Sequence, residues 1–357
     1  MRYINVSSES KSNITAPITL DLKSFTLDQL KELVKELGWE RYRASQIFSW
    51  LWQKGINDIS QMTNLAKAKR ELLKAKYYIS QLKLIKSQKA NDGTEKFLFA
   101  LTDNQSIESV YIPELHRKTV CVSTQVGCAL GCKICYTGQI GFKRNLKFFE
   151  IVDQVLQVQK ITGQRLTNVV FMGMGEPLLN LTECEKATEI LNSDFGLNIG
   201  ARRITISTIG ITDKIYQFVE FPLQVKLAIS LNGTDDKTRN YLMPFTKYYP
   251  LKELIKAAKF YTKIKRKRIT FEYVLVKRVN DRKEDIARLP RLLKGIPCKI
   301  NLIPFNPFPG CELKAPTLAE VENFARSLYS KLPAVTIRKS RGSEILAGCG
   351  QLSGKYN

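Results

Sequence analysis

Three cysteines at the spacing C-x3-C-x2-C (Cys128, Cys132 and Cys135) share one short loop directly after the strand-like run 119–123. This loop constrains the chain more than any other stretch. A metal cluster bound by thiolates needs its sulfurs on a compact loop, where bringing them together costs little chain entropy. Ferredoxin clusters take four cysteines, and only three are local here. A cubane held by three thiolates keeps one iron open to a non-protein ligand, as catalytic zinc keeps an open position. A structural zinc site would want a fourth Cys or His, and the only histidine of the chain is His116. Reactive thiols clustered without a task would be an oxidation hazard.

Composition narrows the class. At 357 residues, 44% of them apolar and 25% charged, the chain has material for about two domains. It has no long apolar run that would span a membrane, and its start lacks the apolar core of a secretory signal. Eight cysteines in a chain of this length, three of them in a cluster motif, point to a reducing, cytoplasmic setting rather than a disulfide scaffold. Fifty-six Lys and Arg against 33 Asp and Glu leave a formal charge of +23. A surplus of that size predicts a polyanionic partner, since each phosphate contact releases counterions.

Along the chain, residues 1–18 are polar and aperiodic and read as a mobile tail. Residues 19–79 read as a small helical accessory domain, an RNA-docking module or else a plain helical cap on the core. Leu27, Leu30, Leu33, Val34 and Leu37 share a face between a Thr26 cap and a Gly38 stop. A second stretch holds Ile47, Phe48, Leu51 and Trp52, and a third, from about Asn64 to Tyr77, carries five Lys and Arg. Residues 80–116 switch to a period of two around Asn91-Asp-Gly93, a hairpin signal. From 117 to 357, strand candidates at 117–123, 167–172, 203–207, 225–231, 268–276 and 298–303 alternate with amphipathic helices at 148–161, 181–192, 251–263 and 317–330. That pattern predicts an α/β fold with a parallel sheet. Six units are too few for a closed eight-fold barrel, so a partial (βα)6 barrel is expected, with its functional loops at the strand C-terminal ends.

The cluster spacing resembles the radical S-adenosylmethionine (SAM) superfamily, in which the free iron chelates SAM. A Gly-rich loop, Gly173-Met-Gly-Glu-Pro-Leu178, lies one strand later, where superfamily members bind the amino group of SAM. Further motifs follow in order: Glu108-Ser-Val-Tyr-Ile-Pro113, Gln139-Ile-Gly-Phe-Lys-Arg-Asn-Leu146, Ser207-Thr-Ile-Gly210, Phe271-Glu-Tyr-Val-Leu275, Asn301-Leu-Ile-Pro-Phe-Asn-Pro307 and Cys349-Gly-Gln-Leu352. Together they resemble the RlmN/Cfr family of radical-SAM RNA adenine methylases over about residues 20–355.

The resemblance implies a [4Fe–4S] cluster on Cys128, Cys132 and Cys135, and SAM contacts at Gly175, Glu176, Ser207, Ser230, Leu231, Asn232 and Asn306. It implies that Cys349 carries the methyl group and that Glu108 acts as general base. Cys121 then closes a Cys121–Cys349 disulfide as the product leaves. The substrate it implies is the C2 carbon of an adenine in 23S rRNA, with tRNA as a second substrate. An external electron donor, a thiol reductant and a monomeric enzyme complete the expectation. Two rivals stand beside it: the C8-methylating branch that confers antibiotic resistance, and a non-catalytic iron–sulfur protein that binds RNA. Pro177 resembles the C2 branch, and Ile209 resembles the C8 branch slightly more. Asn232 stands where the family has histidine, Arg278 where glycine is common, and Tyr136 where a small residue is usual. Cys184, Cys298 and Cys311 match no motif, and Arg202, Arg203 and the run 263–268 are candidate phosphate contacts.

Overall fold

The computed structural model describes residues 19–354, and the expected tail at 1–18 lies outside the described residues. Two compact units emerge: one runs through Leu51 and includes Ile56–Ser80, and the other holds Trp52–Gly55 and everything from Gln81 onward.

In the first unit a two-residue strand, β1 (Leu20–Asp21), pairs in parallel with β2 (Tyr77–Tyr78), so the ends of the unit meet. Between them run α1 (Leu27–Glu36), α2 (Tyr42–Trp52) and α3 (Lys67–Lys76). Thr26 and Gln29 form a capping box on α1: the Gln29 amide donates to Thr26 Oγ1 at 3.3 Å and the Thr26 amide to Gln29 Oε1 at 2.8 Å. Gly38 follows with φ +69°, the left-handed stop its position predicted. The third helix starts later than its pattern suggested, because Asn64 accepts from the Trp50 indole through Oδ1 instead of capping it.

The second unit is built on one ten-stranded sheet. Its first strands, β3 (Lys83–Lys89), β4 (Glu95–Ala100), β5 (Ser106–Glu114) and β6 (Arg117–Cys121), pair antiparallel in sequence. A short hairpin follows, β7 (Gln125–Gly127) with β8 (Phe142–Asn145). The sheet then continues from β6 through β9 (Asn168–Phe171), β10 (Ile204–Thr208), β11 (Lys226–Ser230), β12 (Ile269–Leu275), β13 (Cys298–Pro304) and β14 (Val335–Ile337), each pair parallel. The strand order ends at β14 on one side and β3 on the other, so the sheet stays open. The partial barrel has the six expected strands plus a short seventh.

The helices of this unit are α4 (Tyr136–Gln139), α5 (Phe148–Thr162), α6 (Leu181–Asn192), α7 (Thr212–Phe218), α8 (Asp236–Leu242), α9 (Leu251–Lys265), α10 (Lys283–Leu292) and α11 (Leu318–Tyr329). Strand alternation separates two faces. Ile204, Ile206, Leu227, Ile229, Phe271 and Tyr273 are buried in the core, while Ser207, Ser230, Glu272 and Val274 line a cavity. No helix among the described residues is long and apolar enough to cross a membrane.

Candidate active site

The cavity lies at the C-terminal ends of the parallel strands, where β6 ends in Cys121, β9 in Phe171 and β11 in Ser230. Its wall brings together Cys121, Cys128, Cys132, Cys135, Gly175, Glu176, Ser207, Ser230, Asn232 and Cys349. Three expected residues fall elsewhere. Leu231 points into the core, with its amide bonded to the Glu272 carbonyl at 2.8 Å. Asn306 lines a neighbouring cavity and donates to the Cys349 carbonyl at 3.2 Å. Glu108 is fully buried and does not line the cavity. Its Oε1 pairs with Lys96 Nζ at 3.0 Å, and its Oε2 accepts the Ser353 and Gly354 amides at 2.7 and 2.9 Å.

The cysteine loop is clasped between β7 and β8. The Cys128 amide donates to the Gly141 carbonyl at 2.8 Å, and a Cβ on Gly127, at φ +75°, would meet that oxygen at 1.9 Å. A Cβ on Gly138 would meet the Cys132 amide nitrogen at 2.9 Å, so only glycine lets the loop fold back on itself. The loop is further joined to the C-terminal segment: the Tyr136 amide donates to the Gly350 carbonyl at 2.6 Å, and Thr137 Oγ1 to Leu352 O at 2.6 Å. Tyr136 stacks on Phe308, with centroids 5.3 Å apart, and so turns its ring to packing. This docking carries Cys349 to the cavity.

The Gly-rich loop serves the chain as much as any ligand. A Cβ on Gly173 would meet the Val122 carbonyl at 2.7 Å, and one on Gly175, at φ +99°, would meet Gln125 Cβ at 2.5 Å. The glycines therefore let this loop lie on the segment that follows Cys121. Gln125 Oε1 accepts the Glu176 amide at 2.9 Å. The Glu176 carboxylate accepts the Leu178 and Ile209 amides at 3.0 and 2.9 Å, while burial still pushes its carboxyl up to about 7.

Two of the departures noted in the sequence lie at left-handed backbone positions. Asn232 sits at φ +51° and Arg278 at φ +63°, the left-handed region. Asparagine tolerates that region among non-glycine residues, and Asn232 is held there by accepting the Val274 amide at 2.8 Å. Arg278 takes a glycine-type position, with its amide donating to Asp281 at 2.7 Å.

Two arginines at the site carry no sequence mark. Arg239 is fully buried, with Nε donating to Leu231 O and Nη2 to Ile209 O, both at 2.9 Å. Its Nη1 is buried without a hydrogen-bond partner. Arg338 lines the cavity and donates to Met172 Sδ at 3.6 Å. Burial pushes the Cys121 thiol up to about 12, a charge on Cys349 raises it further, and Arg338 pulls it down. No motif marks either arginine, since lone basic residues on a basic chain look like surface. Of the unassigned cysteines, Cys184 and Cys298 are buried, and half-buried Cys311 donates to the Lys133 carbonyl in the cluster loop at 3.7 Å.

Residues 122–289 match the radical SAM superfamily, and residues 20–79 match the ribosomal RNA large subunit methyltransferase N-terminal domain. The dual-specificity RNA methyltransferase RlmN of Pelobacter propionicus is 44% identical over 337 residues, which is 94% of this chain and 96% of that protein. The chain belongs to the RlmN family. The Geobacter sulfurreducens RlmN is 45% identical, covering 95% of this chain and 93% of its own. A solved radical SAM methyltransferase from Sphaerobacter thermophilus superposes with a TM-score of 0.88 at 40% identity, over 94% of this chain and all of that one.

Radical SAM proteins use a [4Fe–4S] cluster and SAM, and the residues present in this RlmN family member fit both. Among the described residues no group of three or more His, Cys, Asp or Glu is arranged to hold a metal ion. A cubane asks for something else, because each thiolate takes its own iron at a separate corner. Cys128, Cys132 and Cys135 supply three such thiols on one wall, with no histidine competing. Burial pushes the Cys132 thiol well up and Arg239 offsets only part of that, while the orphaned Nη1 of Arg239 suits an anionic neighbour.

Proposed function

We propose that this chain methylates the C2 carbon of an adenine in 23S rRNA and of an adenine in tRNA. The observation that carries this reading is the meeting of Cys121 and Cys349, 228 positions apart in the chain (349 − 121), beside the three-cysteine loop in one cavity. The relatives named dual-specificity RNA methyltransferases support the substrate class.

Cys128, Cys132 and Cys135 would hold the cluster, and Gly175, Glu176, Ser207, Ser230 and Asn232 are the cavity residues placed to bind SAM. When bound, the cluster and SAM supply one-electron cleavage of the sulfonium and a hydrogen-abstracting radical. The residues of the chain do the rest. Cys349, exposed on the cavity wall, carries the methyl group as a thioether and delivers its carbon to the base. Cys121, buried at the end of β6, then attacks Cys349 Sγ; as the S–S bond forms, the bond from that sulfur to the transferred carbon breaks, its electron pair stays with the carbon, and the methylated base departs. Glu108 is the general base of this scheme. Its Oε2 becomes available only when Ser353 and Gly354 release it, so these two residues act with Cys349. The accessory unit, 19–79, docks RNA through the lysines of α3. The enzyme works as a cytoplasmic monomer with an external electron donor.

Nucleoside mass spectrometry on rRNA and tRNA treated with anaerobically reconstituted protein, SAM and a reductant tests the reading. It predicts 2-methyladenosine in both RNAs; 8-methyladenosine would move the chain to the resistance branch. RNA binding without any SAM cleavage would make it a non-catalytic protein.

A further inference from the structure

A second cavity opens at the opposite ends of the same strands. Arg117, Asn168, Thr205, Lys226, Thr270 and Lys299 line it, each the first or second residue of its strand. The sheet register sets Thr205 beside Lys226 and Thr270 beside Lys299. Barrel interiors are ordinarily filled with branched apolar side chains, so a hydroxyl and lysine layer here keeps the floor open to water and charge.

This second cavity reaches the first. Met172, Glu272, Ile303, Arg338 and Cys349 line both, and Cys349 is exposed where Cys121 is only 8% exposed. The charge at the floor is one-sided. Arg117 pairs with Glu114 at 2.6 Å and Arg341 with Asp92 at 3.7 Å, but Lys226, Lys299 and Lys339 form no ion pair among the described residues. Burial holds Lys226 and Lys299 below the ordinary lysine range; basic neighbours lower both further, and Glu272 offsets part of the shift at Lys299. The buried carboxylate Glu272 is the inward acidic group, flanked by Lys299 and Arg338.

We propose that this basic cavity is the port through which a small anionic thiol reaches Cys349 and resets the Cys121–Cys349 disulfide, an inference that rests on the two-cysteine reading above. The incoming thiolate attacks Cys349 Sγ, the exposed sulfur, and the S–S electron pair leaves on Cys121 Sγ beside Arg338. A second thiolate attacks the outer sulfur of the mixed disulfide, and Cys349 leaves as a thiolate. Two reductant molecules depart joined as a disulfide; two electrons pass to the protein, and the protons lost by the reductant thiols reprotonate the cysteines. Lysines without ion-pair partners at the mouth raise the local concentration of an anion, and salt removes that effect.

The test follows reduction of the disulfide left by a single turnover, using mercaptopropionate, mercaptoethanol and cysteamine, with rates normalised to thiolate concentration and corrected for thiol pKa. At low salt the anionic thiol should outpace the neutral one by roughly tenfold, and the cationic one should be slowest. High salt in the parent, or the Lys226→Gln/Lys299→Gln pair of substitutions, should erase the order. Charge-independent rates in the parent, or an order unchanged by those substitutions, would overturn the port. Peptide mapping that finds Cys121 and Cys349 free after turnover would instead overturn the two-cysteine reading itself.

Discussion

Cys121 is buried and Cys349 exposed, and in the proposed scheme that difference sorts their tasks: the exposed sulfur meets base and reductant, the buried one waits. Cys121→Ala should therefore trap the RNA on Cys349 as a covalent adduct that survives a denaturing gel; free RNA with full turnover would contradict the pairing. Lys96 and Glu108 form a buried pair, and without Lys96 the carboxylate keeps two amide donors on Oε2 but loses its buried counter-charge on Oε1. Lys96→Met should lower stability by about 3 kcal/mol in denaturant titration. The three-cysteine loop, Glu176 and Cys349 stand out in the sequence because motif spacing and order mark them, and the structure brings them to one cavity. Arg239 and Arg338 do not stand out, because their meaning comes from burial and from neighbours distant in sequence. The left-handed backbone at Asn232 and Arg278 was hidden likewise: a sequence shows an unexpected residue but not the φ it adopts.

Among elements, the six parallel strands came within a residue or two of their sequence patterns, since a buried parallel strand is a dense apolar run between helices. Several short elements had no sequence mark of their own, among them β7, β8, α4, α7, α8, α10 and β14. The helices α7 and α8 are seven residues each, too short to repeat a 3.6-residue period convincingly. The helix α10 carries Pro290 inside it, and β14 spans three residues. The loop bearing Cys349 depends on one close approach more than any other, Gly350 against Ile134 O, where an added Cβ would sit 2.6 Å away at φ +85°. Gly350→Ala should cost about 1–3 kcal/mol of docking strain. Because that strain falls on the C-terminal segment, the variant should keep SAM cleavage and lose RNA methylation, measured as deoxyadenosine against methyladenosine. Loss of both in parallel would place the defect in the whole fold.

For the whole molecule, the charge of +23 is the quantity RNA binding should report. Affinity should fall steeply with salt, and Lys67→Glu with Lys76→Glu on α3 should flatten that dependence by roughly one unit of slope for each phosphate the variant no longer neutralises. The positive balance was plain from composition; where it gathers was not. In the run 263–268, Lys267 is spent on the Gln224 carbonyl at 2.7 Å and Arg266 ends α9 in a left-handed cap. The most direct test of the central claim remains the nucleoside made. Ribosomal RNA and tRNA incubated with reconstituted protein, SAM and reductant should both yield 2-methyladenosine by mass spectrometry, and the Cys349→Ala variant should yield none. Methylation that survives Cys349→Ala, or 8-methyladenosine from the parent, would contradict the account.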